Sequence, residues 1–251
     1  MHGRLITWVV VATSCVSTPW ALADWNPGDP HKMHFPQLPD PQGWDVNMTW
    51  PKYLGDDWRC TQSGPVTDFH FWFSFENDRP APILWIDVEI WSDQPAYPGQ
   101  HSQPLSRLWQ RRFYATDPWV RYRPYGSGPQ GWYDPKTGDW RHPDHTLYYQ
   151  ANIMGFPDPF YQEVGTIYWL VLSVRLPDAH LERIGWKTSR NHFNDDGVWQ
   201  HRGEPPPWPW NELRDPRTPS ESLDLAFVIT PAPGSVALLG LASILAARRR
   251  R

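Results

Sequence analysis

Cysteine is nearly missing from this chain of 251 residues, which has only Cys15 and Cys60. Cys15 lies in an N-terminal segment expected to be removed, so the mature body keeps one thiol. A single thiol excludes an intramolecular disulfide, and Cys60 reads as a small buried hydrophobe. Stability must therefore come from packing. Basic charge is also scarce. The chain has 23 Lys+Arg and 27 Asp+Glu. Arg4 and Arg248 to Arg251 lie in the terminal segments, which leaves 18 cations and a net charge of −9 for the body. Such a surface repels a polyanion, so nucleic acid is excluded as a partner. The body also lacks a sustained 3.6-residue apolar period, a repeat of fixed length, a Gly-x-Ser-x-Gly elbow, a phosphate loop and a dinucleotide fingerprint. Those absences argue against helical bundles, solenoids and the common nucleotide-binding or hydrolase motifs.

What the chain does have begins with its two ends. Residues 1–23 start basic, continue with an apolar run from Leu5 to Val16, and finish Ala21-Leu22-Ala23. Ala21 and Ala23 form the small-x-small pattern that signal peptidase reads, with cleavage expected before Asp24. Residues 231–251 read PAPGSVALLGLASILAARRRR. The twelve apolar residues from Val236 to Ala247 would rise ~18 Å as a helix, against a ~30 Å hydrocarbon core. That is short for a permanent span, and a terminal arginine cluster stays on the cytoplasmic side.

The order of break, apolar run and basic stop resembles the PEP-CTERM sorting tail of exported bacterial proteins. Pro231, Ala232 and Pro233 stand where that family has Pro-Glu-Pro, so the acidic residue is missing, and Arg248, Arg249, Arg250 and Arg251 form the basic stop. The resemblance implies an exosortase-type protease as a partner. It also implies a place in the cell envelope or outside the cell, with the C-terminal helix as a transient or permanent anchor. The expected organisation is a signal peptide (1–23), one extracellular domain (24–230) and a sorting tail (231–251).

The body reads as β. Phe69, Phe71, Phe73 and Phe75 alternate with His70, Trp72 and Ser74, and Leu84, Ile86, Val88 and Ile90 alternate with Trp85, Asp87, Glu89 and Trp91. Further strands are expected over 107–114, 147–153, 165–176, 185–189 and 223–230. Turns are expected at 77–80, 97–99, 126–129 and 134–138, where Pro, Gly, Asn and Asp cluster. Residues 24–50 and 204–217 read as extended chain laid on the surface. The resulting expectation is all-β: an antiparallel β-sandwich, most simply of jelly-roll type, with long Pro/Trp-rich loops. The strings GWDV (43–46), DDWRC (56–60), GWYDPKTG (131–138), GTIYWL (165–170), GWKTS (185–189), NDD (194–196) and SLDLAFVIT (222–230) are similar to an uncharacterised exported domain found ahead of such tails. That resemblance implies an extracellular β domain and brings no catalytic residues with it.

Three groups of side chains are candidates for function. Asp87 and Glu89, two apart on one strand, share a face with Cα atoms ~6.5–7 Å apart. That spacing falls within the range of glycosidase carboxylate pairs. Laminarinase-type jelly rolls place Glu-x-Asp-x-Glu on such a strand, but Trp85 stands at the nucleophile position here, so the pair is a secondary reading beside an exposed polar face. Asp56, Asp57, Asp195 and Asp196 offer hard oxygen ligands on loop-like chain and are read as a structural calcium site, against a bland reading as turn caps and ion pairs. His31-x-x-His34 and His142-x-x-His145 lack a third ligand for zinc. Among the 18 tryptophans, Trp132, Trp140, Trp208 and Trp210 lie in polar or Pro-rich stretches, where an exposed indole stacks on a sugar ring or simply packs a loop down. The functional expectation is an exported structural or adhesive protein that binds extracellular polysaccharide. The alternative is a secreted glycan hydrolase acting through Asp87 and Glu89.

Overall fold

The strands follow the two-residue alternation of the sequence. A computed structural model describes residues 24–178, 181–203 and 205–231. The expected signal peptide and residues 232–251 of the sorting tail, with Ala232, Pro233 and the four arginines, lie outside the described residues. In chain order the strands are β1 (Trp44–Asn47), β2 (Lys52–Arg59), β3 (Gly64–Val66), β4 (Asp68–Phe75) and β5 (Trp85–Gln94). They continue with β6 (Gln103–Tyr114), β7 (Val120–Asp134), β8 (Asp139–Met154), β9 (Phe160–Gln162) and β10 (Ile167–Arg175). The last are β11 (Ile184–Ser189), β12 (Val198–His201), β13 (Asn211–Glu212), β14 (Asp224–Leu225) and β15 (Phe227–Thr230). One 3-10 turn at Glu76–Asp78 is the only helical element among the described residues.

The fold is an all-β sandwich. One sheet has the order β14-β11-β1-β7-β8-β4-β15, the other β13-β12-β2-β10-β5-β6, and β3 pairs with β9 beside them. Nearly every pairing is antiparallel; β1 beside β7 is parallel, with Trp44 opposite Gly131. The inward rows of the two sheets meet ring to ring. Trp58 of β2 meets Phe227 of β15 edge-on at 6.3 Å, and Phe69 of β4 meets Phe113 of β6 at 6.0 Å. Both Trp58 and Phe113 are completely buried. Truncating such a ring costs about 3–5 kcal/mol, so this seam supplies the packing that disulfides do not. Cys60 is free and buried in the same core, its thiol donating to the Gln62 carbonyl.

Two expectations need correction. Residues 24–50, read as extended chain laid on the surface, include β1, a buried strand between β11 and β7. Residues 126–129, read as a turn, run inside β7. The register against β8 slips between Pro124 and Gly126 and again between Ser127 and Gln130. Gly and Pro there mark irregular pairing within one long strand. The hairpin turn falls at 135–138, as the second Pro/Gly cluster implies. The face of β4 that carries His70, Trp72 and Ser74 is buried as well as the phenylalanine face. The chain at Trp25 covers it: Trp72 sits edge-on to Trp25 at 6.1 Å, and the Gln150 amide donates to the Trp25 carbonyl at 2.8 Å.

The same face of the seven-stranded sheet carries a buried ionic layer further along. Asp45 on β1 stands opposite Lys187 on β11, which donates to it at 3.0 Å. His145 on β8 donates through Nε2 to Asp45 at 2.9 Å and through Nδ1 to Asp144 at 3.0 Å. The second His of the His142-x-x-His145 pair is thus an ion-pair partner, while His142 packs edge-on to Trp44 at 5.9 Å. Gly185 admits this layer. A Cβ there would come within 2.9 Å of the Asp45 backbone and of the Trp132 ring.

The layer makes stability depend on pH. Burial alone would lower the His145 pKa. The Asp45 charge, with hydrogen bonds to Asp144 and Asp45, outweighs it and raises the value to about 9. A folded value above the unfolded ~6.5 gives stability that is fully present below that pH and lost as pH rises through 9. Chemical denaturation of His145→Gln should therefore show a loss of about 3–5 kcal/mol at pH 6. The difference from the native chain should shrink by pH 10, and equal losses at both pH values would show that His145 is not charged in the fold.

Candidate functional site

The outward side chains of the six-stranded sheet fall into rows across its strands, and three adjacent rows frame the candidate site. The first holds Arg112 of β6, Asp87 of β5, Ser173 of β10, Tyr53 of β2 and Gln200 of β12. The second holds Gln110, Glu89, Val171, Gly55 and Val198. The third holds Arg107, Trp91, Trp169 and Asp57. Tyr53, Asp87, Glu89, Gln110 and Arg112 of the first two rows line an open cleft of 450 Å³ together with Arg107, Arg111 and Arg202.

The two sequence-predicted carboxylates form its floor, and each is clamped by arginine. Arg112 pairs with Asp87 through Nε at 2.7 Å and Nη2 at 2.9 Å, and the Tyr53 hydroxyl adds a bond at 3.1 Å. Arg202 pairs with Glu89 at 2.8 and 2.9 Å, joined by Arg107 at 3.2 Å and the Trp91 indole at 2.8 Å. Parallel two-point contacts of this kind fix the plane of both partners. Aromatic faces hold the guanidinium groups from behind: Arg202 lies 3.7 Å over Tyr53, and Arg112 lies 3.8 Å over Trp85.

Electrostatics decide what the pair can do. Burial pushes the Glu89 pKa up, but the Arg202 hydrogen bonds and charge, with Trp91 and Arg107, hold it below the usual carboxylate value. Glycoside hydrolysis needs one carboxyl kept protonated as general acid. Glu89 is held ionised, and Asp87 already accepts three hydrogen bonds. The arrangement is suited to presenting fixed donors and acceptors to a ligand.

The other candidates scatter. Trp132 is buried at 1% exposure and packs inside the seven-stranded side, so it cannot offer a ring to a ligand. Trp210 is half-buried and meets Trp91 edge-on at 5.9 Å, tying the 205–213 segment onto Trp169, Val171 and Val198. Trp208 is exposed and lines a separate pocket of 190 Å³ with Trp199, His201 and Asn211. Trp140, also exposed, leans on Trp44 at 5.7 Å, with Arg217 over both rings.

The aspartates divide by strand face. Asp56 points into the sandwich, where it accepts from the Gln37 amide at 2.9 Å, the Leu225 backbone and the Asp57 backbone at 2.7 Å. Burial, with the charges of Asp224 and Asp57, raises its pKa well above the ordinary value. Asp56 is a core group and no cation ligand. Asp57 points outward, toward the segment that carries Asp195 and Asp196.

Structure also brings together Ser222, His192 and Asp224, which no motif announced. Both Ser222 Oγ at 3.5 Å and Asp224 at 3.3 Å approach the same ring nitrogen, Nδ1. A serine relay needs the two on opposite nitrogens, so this group is no triad. The residues that sequence reasoning missed are Tyr53, Arg107, Arg112 and Arg202, drawn from two strands and the residue after a third. Only the alternation of Arg107 to Tyr114 carried any signal for them.

A sequence model described as a Domain of unknown function (DUF7901) matches residues 33–230, and the chain belongs to that family. Neither the curated proteins nor the solved structures contain a match.

The opposite fates of neighbouring acids can be measured. Asp56→Ala strands the Leu225 N–H and the Gln37 amide in the core and should cost about 2–4 kcal/mol in urea denaturation. Arg107→Ala, on the exposed cleft rim, should stay within about 0.5–1 kcal/mol of the parent. A reversed order would mean that the core assignment of Asp56 is wrong.

Proposed function

We propose that this DUF7901-family chain is an exported, structural or adhesive module of the cell envelope or extracellular matrix that binds polysaccharide in the outer-face cleft. Its termini support export: the signal-peptidase pattern at 1–23 and the tail at 231–251, the latter a substrate for an exosortase-type protease. The observation that carries the binding reading is the clamped floor of the cleft. Two carboxylates and three guanidinium groups are held in place before any ligand arrives, so little rotamer freedom is lost on binding. Arg107 and Arg112 are each close to half exposed and keep unused N–H donors. Sugar hydroxyls both donate and accept, which matches a surface that offers both. Trp208 and Trp140 are outlying stacking positions for a chain longer than the cleft.

The alternative remains a secreted hydrolase acting through Asp87 and Glu89, and one experiment separates the two readings. The purified chain is passed over insoluble and soluble polysaccharides while released sugar is assayed. The expected result is retention without sugar release, weakened about tenfold by Arg112→Ala and unchanged by Trp132→Phe. Sugar release that Glu89→Gln abolishes, with the fold intact, would replace the binding reading by the hydrolase.

A further inference from the structure

The buried ionic layer of the seven-stranded sheet holds an amine, a carboxyl group and an imidazole in contact, and the cleft makes no use of them. Asp45 on β1 and Lys187 on β11 stand directly opposite each other across an antiparallel pair, so both side chains leave the same face of the sheet. Lys187 Nζ lies 3.0 Å from Asp45 Oδ2, and both side chains are completely excluded from solvent. Trp132 on β7 stands beside Asp45 on its other flank and is buried as well, and the Tyr148 ring lies 5.4 Å from Nζ. Sheet register and aromatic walls thus press amine and carboxyl group together in a dry site.

The carboxyl group of Asp45 is unevenly satisfied. Its Oδ2 accepts from Lys187 at 3.0 Å and from His145 Nε2 at 2.9 Å. Its Oδ1 is buried and has no hydrogen-bond partner among the described residues. A buried oxygen without a partner is costly, and an ion pair taken wholly out of water recovers little of its desolvation penalty. The layer sets two anions, Asp45 and Asp144, against two cations, Lys187 and His145. Asp144 matches His145 at 3.0 Å, so Lys187 and Asp45 can lose their charges without stranding the imidazolium.

We propose that Lys187 and Asp45 condense into an intramolecular isopeptide cross-link between β11 and β1, with His145 as the catalytic residue. A proton passes from Nζ to the Asp45 carboxylate along the existing hydrogen bond, which leaves a neutral amine beside a neutral acid. The His145 Nε2–H polarises the Cγ–Oδ2 bond. Nζ then attacks Cγ, the Nζ–Cγ bond forms and the Cγ–Oδ1 bond breaks. Oδ1, the oxygen without a partner, departs as water with two of the three ammonium protons, and the third stays on the amide nitrogen. Oδ2 remains as the amide carbonyl and keeps its bond from His145. One cation and one anion disappear together, so the step balances with no oxidant, cofactor or second substrate. In bulk water both ions are too well hydrated to condense; here that hydration is lost on folding, and the contact supplies the orientation. His145 stays paired with Asp144, so the pH dependence of the layer keeps its sign. The bond joins residues 142 apart in the chain. A loop of that kind restricts the unfolded chain as a disulfide would, in a body whose single thiol allows none. It does not depend on the cleft binding polysaccharide.

Peptide mapping of the folded, purified full chain by mass spectrometry tests the cross-link. The expected product is a branched peptide that joins the Asp45 and Lys187 segments, lighter than their sum by one water and uncut by trypsin after Lys187. Lys187→Arg keeps the positive charge but replaces the amine by a guanidinium that is no nucleophile, and it should give two separate segments of full mass. His145→Gln should leave most of the chain unlinked. Separate Asp45 and Lys187 segments of full mass from the native folded chain would overturn the cross-link, whether or not any variant folds. A branched peptide in equal yield from folded His145→Gln would overturn the role given to His145.

Discussion

Ring-to-ring packing between the two sheets is the constraint on which everything else depends. With one buried thiol and no disulfide, Trp58, Phe69, Phe113, Phe227 and their neighbours must hold the sheets together by area and shape alone. Strand geometry then leaves no freedom in the outward set. If Ile86, Val88 and Ile90 face the core, Asp87, Glu89 and Trp91 face outward, because successive side chains alternate. The cleft is the reverse side of the core.

The same rule explains why acids of one type have different fates. Asp56 and Asp57 are adjacent, so one enters the sandwich and the other leaves it. Asp56 finds the Gln37 amide and the Leu225 backbone and becomes a structural acceptor. Asp57 emerges where β12 begins and meets the segment of Asn194 to Asp196. Asp87 and Glu89 emerge between β10 and β6, where two arginines of β6 and one just past the end of β12 reach them. Burial by itself raises the pKa of an acid, Asp57 and Glu89 alike; arginine contact is what keeps Glu89 ionised.

Much of the fold was legible in local pattern. The alternation over 69–75 and 84–91 and the Pro/Gly cluster at 134–138 gave strands and a hairpin turn close to where they lie. Local pattern failed where chain from elsewhere intervenes. Nothing near Trp72 in sequence announces that Trp25 will cover it, and the Gly and Pro of 126–129 look like a turn unless a partner strand as long as β8 is at hand to carry them through. Trp132 reads as a loop aromatic, yet its strand lies in the middle of a sheet with the hairpin turn three residues further on.

The sequence by itself determined the class of the molecule and the faces of its strands: an all-β body, stabilised without disulfides, with Asp87 and Glu89 together on one side of one strand. These properties are local, set by a two-residue period and by residue counts. Only the tertiary structure decided which groups surround those faces. Tyr53 and Arg202 meet Asp87 and Glu89 because β10 brings β2, and β2 brings β12, from distant parts of the chain to the side of β5, while Arg112 comes from β6, the next strand in sequence. The pairing of non-consecutive strands is fixed by the whole core at once, and no short stretch of sequence records it.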